Sequence, residues 1–172
     1  MTGVEKLQEA LRIKCTCVET IVLLKSWRDF PASLAQRIAN RCPDDYDPTI
    51  VSIGYSWGGY SAVLFARELQ KRGLTIDHLL LCDAVWRSSF MIGYPLSLTD
   101  LFTIKIPSNV KNLYTWRQTA NTPRGSNIKL EDEGFTNWVS DEVLPHIEHQ
   151  HIDDYRPFRL KAMELACQTK QS

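Results

Sequence analysis

Gly54-Tyr55-Ser56-Trp57-Gly58 concentrates the chain's chemistry in five residues, with an apolar run before it and an amphipathic run after it. A serine hydroxyl is a weak nucleophile until a neighbouring base takes its proton. A strand-to-helix turn is a setting that lifts such a hydroxyl clear of a sheet and places the next amide at a helix N-terminus. A serine strained at such a turn needs small neighbours, which Gly54 and Gly58 supply, while Gly59 and Ser61 let the helix approach the strand. The Trp57 amide would then face a developing oxyanion.

An activated serine needs a base, and the base needs an acid to orient it. Asp83 directly follows Leu79-Leu80-Leu81-Cys82. That places a carboxylate at the carboxyl end of the next strand, on the sheet edge that carries Ser56. The stretch after residues 110–116 offers Gln118, Thr119, Asn121 and Thr122, with no carboxylate before Glu131. Three of the four histidines, His146, His149 and His151, fall within six residues. His78 precedes its strand and belongs to the opposite edge.

The elements that must position these groups follow from hydrophobic period. Apolar spacing of 3–4 predicts helices at 4–14, 31–41, 58–72 and 157–169, with Pro31 and Pro157 near first turns and Gly73 as a stop. Continuous β-branched and leucine-rich runs predict strands at 18–25, 49–54, 79–82 and 110–116. Strands alternating with helices imply βαβ units, so the expected fold class is α/β. It is a small, mostly parallel sheet with helices on both faces, working at the carboxyl ends of its strands. The 172 residues suit a single domain over 1–172.

On the elbow at Ser56 and its setting, the chain resembles the α/β-hydrolase superfamily, specifically its small lipase-, esterase- and thioesterase-like members, over residues 3–155. The resemblance implies the order serine, acid, histidine, which Ser56 and Asp83 begin. His149-Gln150-His151-Ile152-Asp153 resembles the His-x-x-Ile-Asp ending of some small lipase-like hydrolases, and by that match His149 is the base, with His151 as the alternative. In relatives, an apolar insertion such as residues 84–96 caps or walls the serine. Tyr55, Trp86 and Phe90 are accordingly expected as substrate wall. The family also places a strand and a glycine-containing oxyanion loop ahead of a helix like 4–14. Here only Thr2 and Gly3 precede that helix, and Gly3 is the candidate remnant of the loop.

The implied function is a serine hydrolase acting on a small-molecule carboxylic ester or thioester through an acyl-enzyme, with no cofactor. Two other readings stand beside it. One is a hydrolase-like domain that binds a ligand or partner with weak or no catalysis. The other is a metal-dependent hydrolase using His146, His149 and His151, since His149 to Asp154 also resembles part of the His-x-His-x-Asp-His signature of metallo-β-lactamase-type enzymes. The eight carboxylates of residues 131–154, with no Lys or Arg among them, are expected to form a solvated acidic face.

Composition bounds these readings. Twenty Lys and Arg balance twenty Asp and Glu, against the cationic excess of phosphate-neutralising nucleic-acid binders. Hydrophobic residues at 44% exclude a disordered, charge-rich chain. No signal-peptide pattern opens the chain, and no apolar run approaches the ~20 residues of a membrane span. Five cysteines without framework spacing are expected as reduced thiols of a cytoplasmic protein.

Overall fold

A computed structural model of the chain describes residues 3–15, 29–41, 48–87 and 101–167. The expected strand at 18–25, Phe90 and residues 88–96 of the expected wall lie outside those residues. In chain order the elements are α1 (Gly3–Lys14), α2 (Pro31–Ala39), β1 (Val51–Tyr55), α3 (Trp57–Gln70), β2 (Ile76–Cys82), β3 (Thr103–Ile106), β4 (Val110–Gln118), β5 (Asn127–Leu130) and β6 (Asn137–Leu144). A 3-10 turn (His149–Asp154) and α4 (Arg156–Ala166) follow.

The fold is α/β. Its sheet runs in the order β1-β2-β4-β6 with every ladder parallel, and β3 and β5 form a separate parallel pair. The leucine run of β2 shows why both sheet faces are covered. Leu79 and Leu81 enter one core with Ala62, Phe65, Ala66 and Leu69 of α3. Leu80 and Cys82 enter a second core with Leu7 and Leu11 of α1 and Phe158, Ala162 and Leu165 of α4. An alternating strand would leave one face wet; an unbroken apolar one needs helices on both. Each fully buried leucine contributes about 2 kcal/mol of transfer free energy.

Helix α3 lies unusually close to the sheet. A Cβ on Gly54 would sit 2.6 Å from Gly59 Cα, and one on Gly59 would sit 2.5 Å from Ala84 Cβ. The tight pair is therefore Gly54 and Gly59. Gly58 faces open space, with nothing within 4 Å of a built Cβ, so the steric demand expected of it falls one residue later.

The cysteine expectation is corrected. Cys15 and Cys167 form a disulfide across 152 positions, while Cys82 is buried and free. The C-terminal ends of α1 and α4 lie side by side on one sheet face, which brings the two Cα atoms to 5.2 Å, within disulfide reach. The acidic stretch also resolves into structure: β6 runs through it as the last strand in the order, with alternate residues exposed. Asp141 there is held by Thr115 and Arg117 of β4. No helix among the described residues is long and apolar enough to cross a membrane.

Candidate active site

The carboxyl ends of β1 and β2 each run one residue past the strand into a left-handed backbone. Ser56 has φ 53° and Asp83 has φ 46°. Strain of that kind costs about 1–3 kcal/mol per residue, more than the ~1 kcal/mol of a single hydrogen bond. Several contacts therefore share in holding each one. The Ser56 amide donates to Cys82 O at 3.0 Å, and the Asp83 amide donates to Trp116 O at 2.6 Å. Ser56 O accepts from the amides of Gly59 and Val85. The ladder thus continues beyond the strands and fixes both residues against each other.

His149 opens the 3-10 turn and completes the array. Its Nε2 lies 2.9 Å from Ser56 Oγ and its Nδ1 lies 2.5 Å from Asp83 Oδ2. Asp83 is 0% exposed and His149 is buried at 9%. An ionised carboxylate only accepts, so the ring proton belongs on Nδ1 and leaves Nε2 as the acceptor for the serine hydroxyl. Such an array can pass a proton from hydroxyl to ring and hold the resulting imidazolium.

The structure brings Ser56, Asp83 and His149 together and leaves His151 and His146 apart. The His151 side chain is 70% exposed, 3.9 Å from Glu148. His146 is exposed in a surface groove with Glu148, His151 and Arg156. The three histidines do not converge, and among the described residues no three His, Cys, Asp or Glu side chains group as a metal site.

The loop after β4 carries residues that sequence reasoning did not single out. Asp83 Oδ1 accepts from the amides of Gln118 at 3.1 Å and Gly125 at 2.9 Å. A Cβ on Gly125 would sit 2.5 Å from that same oxygen. Gln118, 1% exposed, donates through Nε2 to Asn121 O and Pro123 O and accepts from the Asn121 amide. Asn121 Oδ1 in turn accepts from the His149 amide at 2.8 Å. One loop therefore sets the acid and the histidine relative to each other. Its lack of a carboxylate was the only sequence signal it gave.

Tyr55, expected as substrate wall, braces the histidine. Its hydroxyl donates to His149 O at 2.8 Å and its ring stacks on the imidazole at 5.1 Å. Burial, with Asp153, Cys82 and Asp83 nearby, pushes the phenol well above its ordinary range. Trp86 stacks on Phe102 at 4.4 Å and leans on Tyr60, while its amide donates to Ser126 Oγ. The Trp57 amide starts α3, and the Trp57 ring lies under the Arg87 guanidinium. Gly3, the candidate loop remnant, packs instead against Asp153.

No protein-family model and no curated protein sequence matches this chain. The fold class and the geometry of these side chains therefore carry the functional argument alone.

Proposed function

We propose that the protein is a serine hydrolase that transfers the acyl group of a carboxylic ester or thioester to water. The observation that supports this best is the continuous hydrogen-bonded chain Ser56–His149–Asp83, buried at its acid end and built on two strained strand termini.

The Ser56 hydroxyl gives its proton to His149 Nε2 as Oγ forms a bond to the substrate carbonyl carbon. Asp83 holds the imidazolium through Nδ1–H. The carbonyl oxygen takes the negative charge at the N-terminus of α3, where the Trp57 amide is the candidate donor. Collapse of this intermediate breaks the bond to the alcohol or thiol, which leaves with the proton from His149. Water then attacks the acyl-enzyme, His149 takes its proton and returns one to Ser56 Oγ, and the carboxylic acid departs.

A fluorophosphonate probe tests the reading. Wild-type protein should label at Ser56 and hydrolyse p-nitrophenyl esters. Ser56→Ala should lose both, with turnover down by about 10⁴-fold or more. A folded wild type that neither labels nor turns over esters overturns the proposal and leaves a binding domain. Turnover that survives Ser56→Ala and disappears with a chelator replaces it with metal chemistry.

A further inference from the structure

Asp153 is a buried carboxylate that the proposed reaction does not use. It is 3% exposed, four positions beyond His149 in the same 3-10 turn. Among the described residues no cation pairs with it. Burial raises its carboxyl above the usual carboxylate range, and Asp154 adds to this. What opposes the cost is the N-terminus of α1. The Val4 amide donates to Asp153 Oδ2 at 3.2 Å, and the Gly3 amide adds a second hydrogen bond. The first turn of a helix carries a partial positive charge, so a carboxylate there is stabilised.

The approach is close enough to require glycine. A Cβ on Gly3 would sit 2.5 Å from the Asp153 carbonyl carbon and 2.7 Å from its Cγ. At the other end of α1, the next residue, Cys15, is bonded to Cys167, the residue after α4. Between these two attachments Leu7 and Leu11 pack in one core with Ile152 and Phe158. Lys6 reaches Asp154 at 2.9 Å on the outside. Helix α1 is thus tied at its start to the turn that carries His149 and at its end to the residue after α4, the helix that follows that turn.

The front of that turn has its own supports, Asn121 on the His149 amide and Tyr55 on the His149 carbonyl. The back has Ile152, fully buried, a weak Cys82 thiol contact to Ile152 O at 3.4 Å, and Asp153. Without the α1 amides the buried carboxylate would keep only its own backbone amide as donor, and such an under-satisfied group moves towards water and takes its neighbours with it.

We propose that Asp153 is a positioning residue for His149, acting through the N-terminus of α1, and that the Cys15–Cys167 disulfide keeps this dock closed. The proposal rests on the serine-hydrolase reading for its catalytic consequence. Opening the bond with dithiothreitol moves two electrons to the cysteines, giving two thiols and the cyclic disulfide of the reagent. Helix α1 is then held by its packing, by the exposed Lys6–Asp154 pair and by Asp153.

The test combines turnover of p-nitrophenyl butyrate with hydrogen exchange. Asp153→Ala should lower kcat roughly ten- to a hundredfold, with KM within about twofold. Asp153→Asn, which keeps the shape and one acceptor oxygen, should recover most of the loss. Gly3→Ala leaves the carboxylate in place but forces the dock apart, and should lower kcat in the same direction. Reduction, checked by thiol count, or Cys15→Ser with Cys167→Ser should speed exchange over residues 3–7 and 149–154 and lower kcat by a few-fold.

A folded Asp153→Ala protein with kcat within about twofold of wild type overturns the positioning role. Unchanged exchange after verified reduction overturns the clamp. A wild type that never labels at Ser56 overturns the hydrolase reading, and the exchange measurement then judges the dock by itself.

Discussion

Strand β2 carries an aspartate near each end, and the two have been put to different use. Asp77, near the amino end, accepts from the Ile50 amide through Oδ2 and from Lys111 Nζ at 2.8 Å through Oδ1. Its backbone carbonyl takes the Asn112 side chain. Asp83, just past the carboxyl end, accepts two amides through Oδ1 and faces His149 through Oδ2. Both carboxylates are satisfied by backbone amides, and the last partner makes the difference. Lysine is a permanent cation at neutral pH, so the interaction ends there. Histidine has a second ring nitrogen, and that far nitrogen remains available to Ser56. One end of the sheet stitches three strands together; the other stores a proton acceptor.

The sharpest break between the two ends is a matched pair of substitutions. Asp83→Asn should reduce ester turnover by about 10⁴-fold, because the amide no longer fixes the ring tautomer. Asp77→Asn should leave turnover alone and cost at most about 1 kcal/mol of stability. Kinetics and thermal melts on both variants decide it, and equal kinetic losses would erase the distinction.

A smaller effect separates the acid's placement from its identity. Gly125→Ala would put a methyl group against Asp83 Oδ1. It should reduce kcat by about 10²-fold while the carboxylate remains. Unaltered kinetics would mean that the loop after β4 has no part in aiming Asp83.

The smallest effect lies at the amino end. His78 Nδ1 is buried with no hydrogen-bond partner among the described residues, and burial holds the ring's pKa below its ordinary 6.5. The fold therefore favours the neutral ring. Its contribution is intact above pH 6.5 and is lost as pH falls through the lower folded-state value. His78→Gln should flatten that acid limb, reducing the fall in Tm between about pH 7 and pH 5 by a degree or two with turnover unchanged. A steeper limb in the variant would mean that the folded state favours the charged His78 ring.

Much of this arrangement can be read along the chain, for physical reasons. β2 and β4 are covered on both faces, so their apolar runs stand out and Asp83 is located as the residue after one of them. Ser56 is located by its Gly-x-Ser-x-Gly setting between an apolar and an amphipathic run. β6 is hidden from such reading. It is the last strand in the order, and alternate exposure lets Asp141 and Glu142 sit in a strand that reads as a solvated acidic face. β3 and β5 are four residues each, too short to show a period. The Gln118–Gly125 brace was illegible because it acts largely through backbone amides, which every residue has. The disulfide was illegible because 152 positions separate its halves and only the packing of α1 beside α4 brings them together.

That disulfide also gives the molecule an uneven mechanical outline. Residues 15–167 form a covalent ring, and α1 lies outside it. A pull applied at residue 3 and resisted beyond residue 167 runs along α1 and across the sulfur–sulfur bond, bypassing the sheet entirely. The strands lie inside the ring, off that covalent path. The helix start that such a pull loads is the one seated on Asp153, so tension there would act beside the turn that carries His149.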